Sequence, residues 1–202
     1  QNSVRAGASL IEIEITENTD TDLFAFSIKD NGCGMSGEDA VTAIRRHATS
    51  KIKNASDLTA IGTLGFRGEA LASISAVSRL QLLTRNENEE IGTHYMIEGG
   101  LETLYEEAGC PKGTTIIIRD LFYNTPARMK FLKKDVSEAN ACAAVIDRIA
   151  LSHPEVSFKL IRDGKQTLMT TGDGSIKSAV YSVLGREFSH SLIETEGEIG
   201  SV

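Results

Sequence analysis

Two stretches of strict alternation limit what this chain can fold into. From Leu10 to Ile15, Ile11, Ile13 and Ile15 alternate with Glu12 and Glu14. After the polar run Glu17-Asn18-Thr19-Asp20-Thr21-Asp22, Phe24, Phe26 and Ile28 alternate with Ala25, Ser27 and Lys29. Strand side chains repeat every second residue, so each stretch is a strand with one apolar and one polar face. Two such strands joined by a short turn predict an antiparallel hairpin, whose apolar face must be covered by something else.

The cover is legible further along. Ser36 caps a predicted helix through Ala40, Val41, Ala43 and Ile44. A small-residue helix spans Glu69–Ser78, and another opens at Ser137. Its face Cys142, Val145, Ile146, Ile149, Ala150 follows the helical period, and His153-Pro154 ends it. Strands are predicted at Leu80–Thr84, Thr93–Ile97 and Thr114–Arg119. After Pro154, Val156–Arg162 and Gln166–Thr170 read as a second hairpin around Asp163-Gly164, followed by a helix Ile176–Leu184 capped by Gly185. We expect a domain at 1–152 and the start of a second at 153–202. Gln1 to Gly7 reads as the last turn of a helix with Gly7 as its cap, so the chain is expected to begin inside a helix.

Hydrophobic residues make up 41% of the 202 residues, enough for a real core. Twenty-eight acids against 21 Lys and Arg leave a formal charge of −7, the wrong sign for a protein built mainly to wrap nucleic acid. Arg128, Lys130, Lys133 and Lys134 form the one cluster that could meet a phosphate backbone; a solvated face is the competing reading. No run approaches the ~20 apolar residues of a membrane span. Cys33, Cys110 and Cys142 fit neither a disulfide framework nor a zinc site and read as reduced thiols.

The chemistry concentrates in a few places. Asp30 is in phase with Phe26 and Ile28, so its carboxylate points to the apolar side at the strand's end. A carboxylate there is costly unless hydrogen-bonded. It is either an acceptor for the amino group of adenine or a solvated strand-end Asp. Gly32 and Gly34 permit a tight turn and close approach to a ring. Gly32, Gly34 and Gly37 also match the spaced glycines of a dinucleotide site, but that site needs a βαβ unit, and a hairpin is expected instead. Gly62 to Ala70 is glycine-rich, carries Arg67, and precedes a helix N-terminus, where free amides attract anions. It reads as a triphosphate cradle and mobile lid, or as a flexible connector. Arg45 to Lys51 sets hydroxyls beside cations, suited to phosphate or to a solvated helix end; His47 reads as structural. Asn2 either offers a carbonyl to Mg²⁺ where a triphosphate supplies further oxygens, or is an ordinary Asn near a terminus with no such role.

Together these residues resemble the MutL family within the gyrase, chaperone, histidine-kinase and MutL ATPase superfamily. Asn2-Ser3 with Ala6-Gly7-Ala8 resembles its first ATP motif, and Asp30-Asn31-Gly32-Cys33-Gly34-Met35 its second. Arg46-His47-Ala48-Thr49-Ser50-Lys51 and Gly65-Phe66-Arg67-Gly68-Glu69-Ala70-Leu71 are close to MutL-specific forms. Gly113-Thr114-Thr115 resembles the fourth motif, and Asp120 to Arg128 a family signature. The combined match displaces the dinucleotide reading.

The resemblance implies an α/β sandwich of the α+β kind: a mixed, mostly antiparallel sheet covered on one face by helices, followed by the start of a second α/β domain. It implies ATP and Mg²⁺ as cofactors. Asn2 would hold the metal and Asp30 would read adenine, with Gly32 and Gly34 shaping the pocket. Thr49, Ser50 and Lys51 would line the phosphate side, Gly65, Arg67 and Gly68 would belong to the lid, and Thr115 would support the base near Asp30. The implied parent is a cytoplasmic (nuclear if eukaryotic) mismatch-repair clamp. Its partners would be a MutS-like mismatch-recognition protein, DNA held weakly through the full-length dimer, and a second copy or paralogue. The alternative is a nucleotide-binding or interaction module without hydrolysis.

The family has Glu where Gln1 stands and Asp where Arg5 stands, and its general-base Glu would fall about one helical turn before Asn2. General-base catalysis contributes ~10²–10⁴-fold. This chain is therefore expected to release phosphate at near-background rate, and a version extended upstream and through the whole second domain to be faster. Steady-state phosphate release from the two compares them; equal turnover contradicts this placement of the base.

Overall fold

The computed structural model describes residues 1–18, 23–45 and 69–193. In chain order the elements are α1 (Asn2–Arg5), β1 (Leu10–Asn18), β2 (Leu23–Asp30), α2 (Gly37–Ile44), α3 (Ala70–Ser75), β3 (Arg79–Arg85), β4 (Gly92–Glu98) and β5 (Leu101–Ala108). There follow β6 (Gly113–Arg119), α4 (Pro126–Met129), α5 (Asp135–Ser152), β7 (Ser157–Arg162), β8 (Lys165–Met169), α6 (Ile176–Leu184) and α7 (Arg186–His190). The strands form one sheet in the order β5-β4-β3-β6-β2-β1-β7-β8. Among the described residues only β1 and β7 pair in parallel. β2 runs antiparallel to both its neighbours, which removes the βαβ unit that a dinucleotide site needs.

Register turns the alternation of single strands into one continuous apolar face. Leu168, Leu160, Ile13, Ile28, Ile116, Leu82 and Tyr95 stand opposite one another across seven adjacent strands. Helices cover that face in two groups. Ala139, Ile146 and Ala150 of α5 pack with Ile11, Ile13, Ile15, Phe158 and Leu160. Ala40 and Ile44 of α2, with Leu71 and Ile74 of α3, pack on Leu80, Leu82, Tyr95 and Ile97. Burial, and then the side chain of Glu102, push the Tyr95 hydroxyl up to about 12, so it stays protonated. The other face carries the polar alternates, tied by Lys159 Nζ to Glu12 at 2.7 Å and by Arg119 donating to Gln81 at 3.1 Å.

Local signals act as the sequence leads one to expect. Ser36 accepts from Asp39 N–H at 3.2 Å to cap α2, Ser175 caps α6, and Gly185 ends α6 at φ +88°. Strand β5 was not anticipated. It is an exposed edge strand, and Glu102, Glu106 and Glu107 hide its pattern, because an edge held by backbone pairing needs little apolar side chain.

The expected boundary near Ser152–Pro154 does not coincide with an end of the sheet. β7 lies beside β1 with Phe158 opposite Ile11 and Leu160 opposite Ile13, and Phe158, Leu160 and Leu168 share the α5 core. The change of texture after Pro154 marks the end of α5, not the end of a core.

Leu82 is fully buried at the centre of the second group. Leu82→Ala should cost ~2–5 kcal/mol through lost transfer energy and the remaining cavity. Urea unfolding measures it, and a loss under ~1 kcal/mol would contradict this core.

Candidate functional site

The site grows from one row of the sheet, a step along from the apolar row. There Ile11, Asp30, Thr114 and Thr84 stand opposite one another on β1, β2, β6 and β3. Asp30 is in phase with Phe26 and Ile28, Thr114 with Ile116 and Ile118, and Thr84 with Leu80 and Leu82. Three adjacent strands thus place a polar side chain on the helix-covered face at the same level. That level lies at the junction of the two packed groups.

Each polar group is engaged. Ser3 Oγ on α1 donates to Asp30 Oδ2 at 2.6 Å, and Gly32 N–H donates to Oδ1 at 3.0 Å. An ionised carboxylate offers about four lone-pair positions, so about two remain for a ligand. Thr84 is fully buried; its Oγ1 accepts from Met35 N–H at 2.9 Å, donates to the Gly113 carbonyl at 3.0 Å, and lies 3.2 Å from Thr114 Oγ1.

The turn after Asp30 is clamped from both sides. Cys33 N–H donates to the Ala6 carbonyl at 2.8 Å, and Glu87 N–H to the Cys33 carbonyl at 3.3 Å. A Cβ at Gly32 would stand 2.7 Å from Ala6 Cβ. Gly34 has φ +71°, and a Cβ there would run into the Arg85 carbonyl. Asn31 latches the turn to β1, accepting from Ser9 and Leu10 N–H at 2.9 and 3.0 Å.

Asp30, Gly32 and Gly34 are therefore brought together, with α1 against them. Asn2 is exposed beside Ser3 on that helix, and its backbone carbonyl accepts from Ala6 N–H at 2.9 Å. Thr115 is corrected: its partners are Lys29 and Leu83, so it belongs to the opposite face, and Thr114 is the residue beside Asp30. A shift of one residue changes the face of a strand. Thr49, Ser50, Lys51, Gly65, Arg67 and Gly68 lie outside the described residues. Ser3, Thr84 and Thr114 were missed as site residues. For the two threonines the signal was available: each is polar at the end of a strand and in phase with buried apolar residues.

A protein-family profile described as "Histidine kinase-, DNA gyrase B-, and HSP90-like ATPase" matches residues 1–100. The MutL protein of Agathobacter rectalis is 46% identical over 98% of this chain and 30% of its own length. That of Caldanaerobacter subterraneus is 46% identical over 98% of this chain and 33% of its own length. The solved Aquifex aeolicus MutL ATPase domain complexed with ADP superposes with a TM-score of 0.69 at 33% identity, over 91% of this chain and 64% of that one. The chain belongs to the MutL family. It spans about a third of the length of the curated relatives it matches, and it has the fold of the MutL ATPase domain.

The MutL signature Asp120 to Arg128 also acquires a structural role. Asp120 and Phe122 adopt φ +53° and +68°, costly for residues with side chains. The loop is held by Phe122 N–H donating to the Val77 carbonyl at 2.6 Å, Asn124 Nδ2 to the Ala76 carbonyl at 2.9 Å, and Arg79 to Asp120 at 2.9 Å. It thereby fixes the end of α3.

Gly34→Ala should lower stability by more than ~1 kcal/mol, because the conformation and the space both exclude Cβ. Chemical denaturation checks it; a neutral or stabilising effect contradicts the clamp.

Proposed function

We propose that this chain is the ATP-binding module of a DNA mismatch-repair clamp protein and binds ATP with Mg²⁺ against the Asp30 row. The observation that carries the reading is the Asp30 carboxylate. It stands on the helix-covered face with lone pairs to spare and is bordered by Thr114 and by a turn that admits no side chain at Gly32 or Gly34. An exocyclic amino group, a donor, suits that acceptor. The likeness to an ADP-bound MutL ATPase domain supports the same reading.

For the metal, the chemistry of the donors decides. Among the described residues no group of three His, Cys, Asp or Glu is placed to hold an ion. Mg²⁺ commonly takes one or two protein oxygens and fills its octahedron with phosphate and water. The exposed Asn2 side chain, on the helix tied to Asp30 through Ser3, suits such a single contact, and the ion would neutralise phosphate charge. Thr49, Ser50 and Lys51 on the phosphate side and Gly65, Arg67 and Gly68 in a lid complete the proposed site.

In the parent protein, nucleotide binding would favour a closed state in which two ATPase domains pair, as a homodimer or with a paralogue, and hydrolysis would reset it. That state would be passed to a MutS-like protein and to DNA in a cytoplasmic setting. The start of a second domain is proposed within 153–202, with its strands β7 and β8 extending the first sheet.

Calorimetry with ATP, ADP and GTP tests the reading. Adenine nucleotides should bind and GTP should not, and Asp30→Asn should weaken binding by ~1–3 kcal/mol. Equal affinity for ATP and GTP would sink it.

A further inference from the structure

We infer that Thr84, buried behind Thr114, is a specificity-determining residue: it fixes the Thr114 hydroxyl as a pure hydrogen-bond acceptor towards the ligand. The inference rests on the adenine-nucleotide reading above and adds a residue to it.

A count of protons carries it. A threonine hydroxyl has one proton to give and two lone pairs to receive with. Thr84 Oγ1 has three neighbours: Met35 N–H at 2.9 Å, the Gly113 carbonyl at 3.0 Å and Thr114 Oγ1 at 3.2 Å. A backbone N–H only donates and a backbone carbonyl only accepts. Thr84 must therefore give its proton to Gly113 and receive from Met35. One lone pair remains for Thr114, so the Thr114 hydroxyl is the donor of that pair. Thr84 is fully buried, so water cannot relieve it of any of these partners.

With its proton committed backwards, Thr114 has only lone pairs left for a ligand. Its register partner Asp30, receiving from Ser3 and Gly32, likewise has only acceptors left. The floor of the site is therefore acceptor-only over two adjacent strands. In this scheme the floor faces the position-6 substituent and not N1, so an amino group there meets it with donors, whereas a 6-oxo group brings a carbonyl against lone pairs. Thr84 is a positioning residue in this scheme, acting through the Thr114 hydroxyl.

Calorimetry with ATP and ITP on the wild type, Thr84→Val, Thr84→Ser and Thr114→Val tests it. The wild type should prefer ATP. Thr84→Val releases the Thr114 proton, which can then turn to a carbonyl, so the ATP-over-ITP ratio should fall about tenfold, the size of one hydrogen-bond preference. Thr84→Ser keeps the hydroxyl and should keep the ratio, which a mere packing role would not predict. Thr114→Val gives the sign independently even if Thr84→Val does not fold. Loss of an acceptor should weaken ATP and spare ITP, whereas loss of a donor would weaken ITP more. An unchanged ratio in folded Thr84→Val, an equal fall in Thr84→Ser, or a Thr114→Val effect on ITP alone overturns the inference while leaving adenine binding intact. A wild type that binds neither nucleotide overturns the underlying reading, and this inference with it.

Discussion

The alignment of Asp30, Thr114 and Thr84 across β2, β6 and β3 is the constraint on which the rest of this site depends. Each lies on the face that its own strand devotes to the core, where an uncompensated polar group is costly. The cost is avoided because they stand at strand ends, where backbone donors and acceptors converge from α1, the Gly32–Gly34 turn and the start of α2. Thr84 alone joins the Met35 amide, the Gly113 carbonyl and the Thr114 hydroxyl. Polar satisfaction and site construction are here one arrangement, and this ties the α2 N-terminus to the Asp30 row.

The same economy governs the helices. α1 is a single turn and could not persist alone. Its place is set by Val4 packing in the α5 core, by the Ala6 carbonyl accepting from Cys33, and by Ser3 bonding to Asp30. Asn2, proposed for the metal, is therefore positioned by the group proposed for the base. At the opposite end of β3, the strained Asp120–Phe122 loop holds the end of α3, the helix that follows the proposed lid.

The sheet also explains why the chain after Pro154 belongs to what precedes it. β7 inserts beside β1 in parallel, which the long helix α5 makes possible by carrying the chain back across the sheet. Without Phe158, Leu160 and Leu168, the inner face of α5 and the apolar side of β1 would lose much of their shared core.

What the sequence by itself determined is the phase of each element. The alternation of Ile11, Ile13 and Ile15 and of Phe26 and Ile28 specified a hairpin and put Asp30 on its inner face. Ser36 and Gly185 marked helix ends through local capping chemistry, and the motifs around Asn2, Asp30 and Asp120 pointed to the family. These are properties of neighbours in the chain. What only the tertiary structure decided is register between distant strands. That Thr114 and not Thr115 stands beside Asp30, that Thr84 joins them from β3, a strand far along the chain from β2, that Ser3 reaches Asp30, and that β7 lies against β1 all depend on pairings between segments far apart in sequence. Strand periodicity assigns a residue to one of two faces, but only hydrogen-bonded pairing decides which residue stands opposite it.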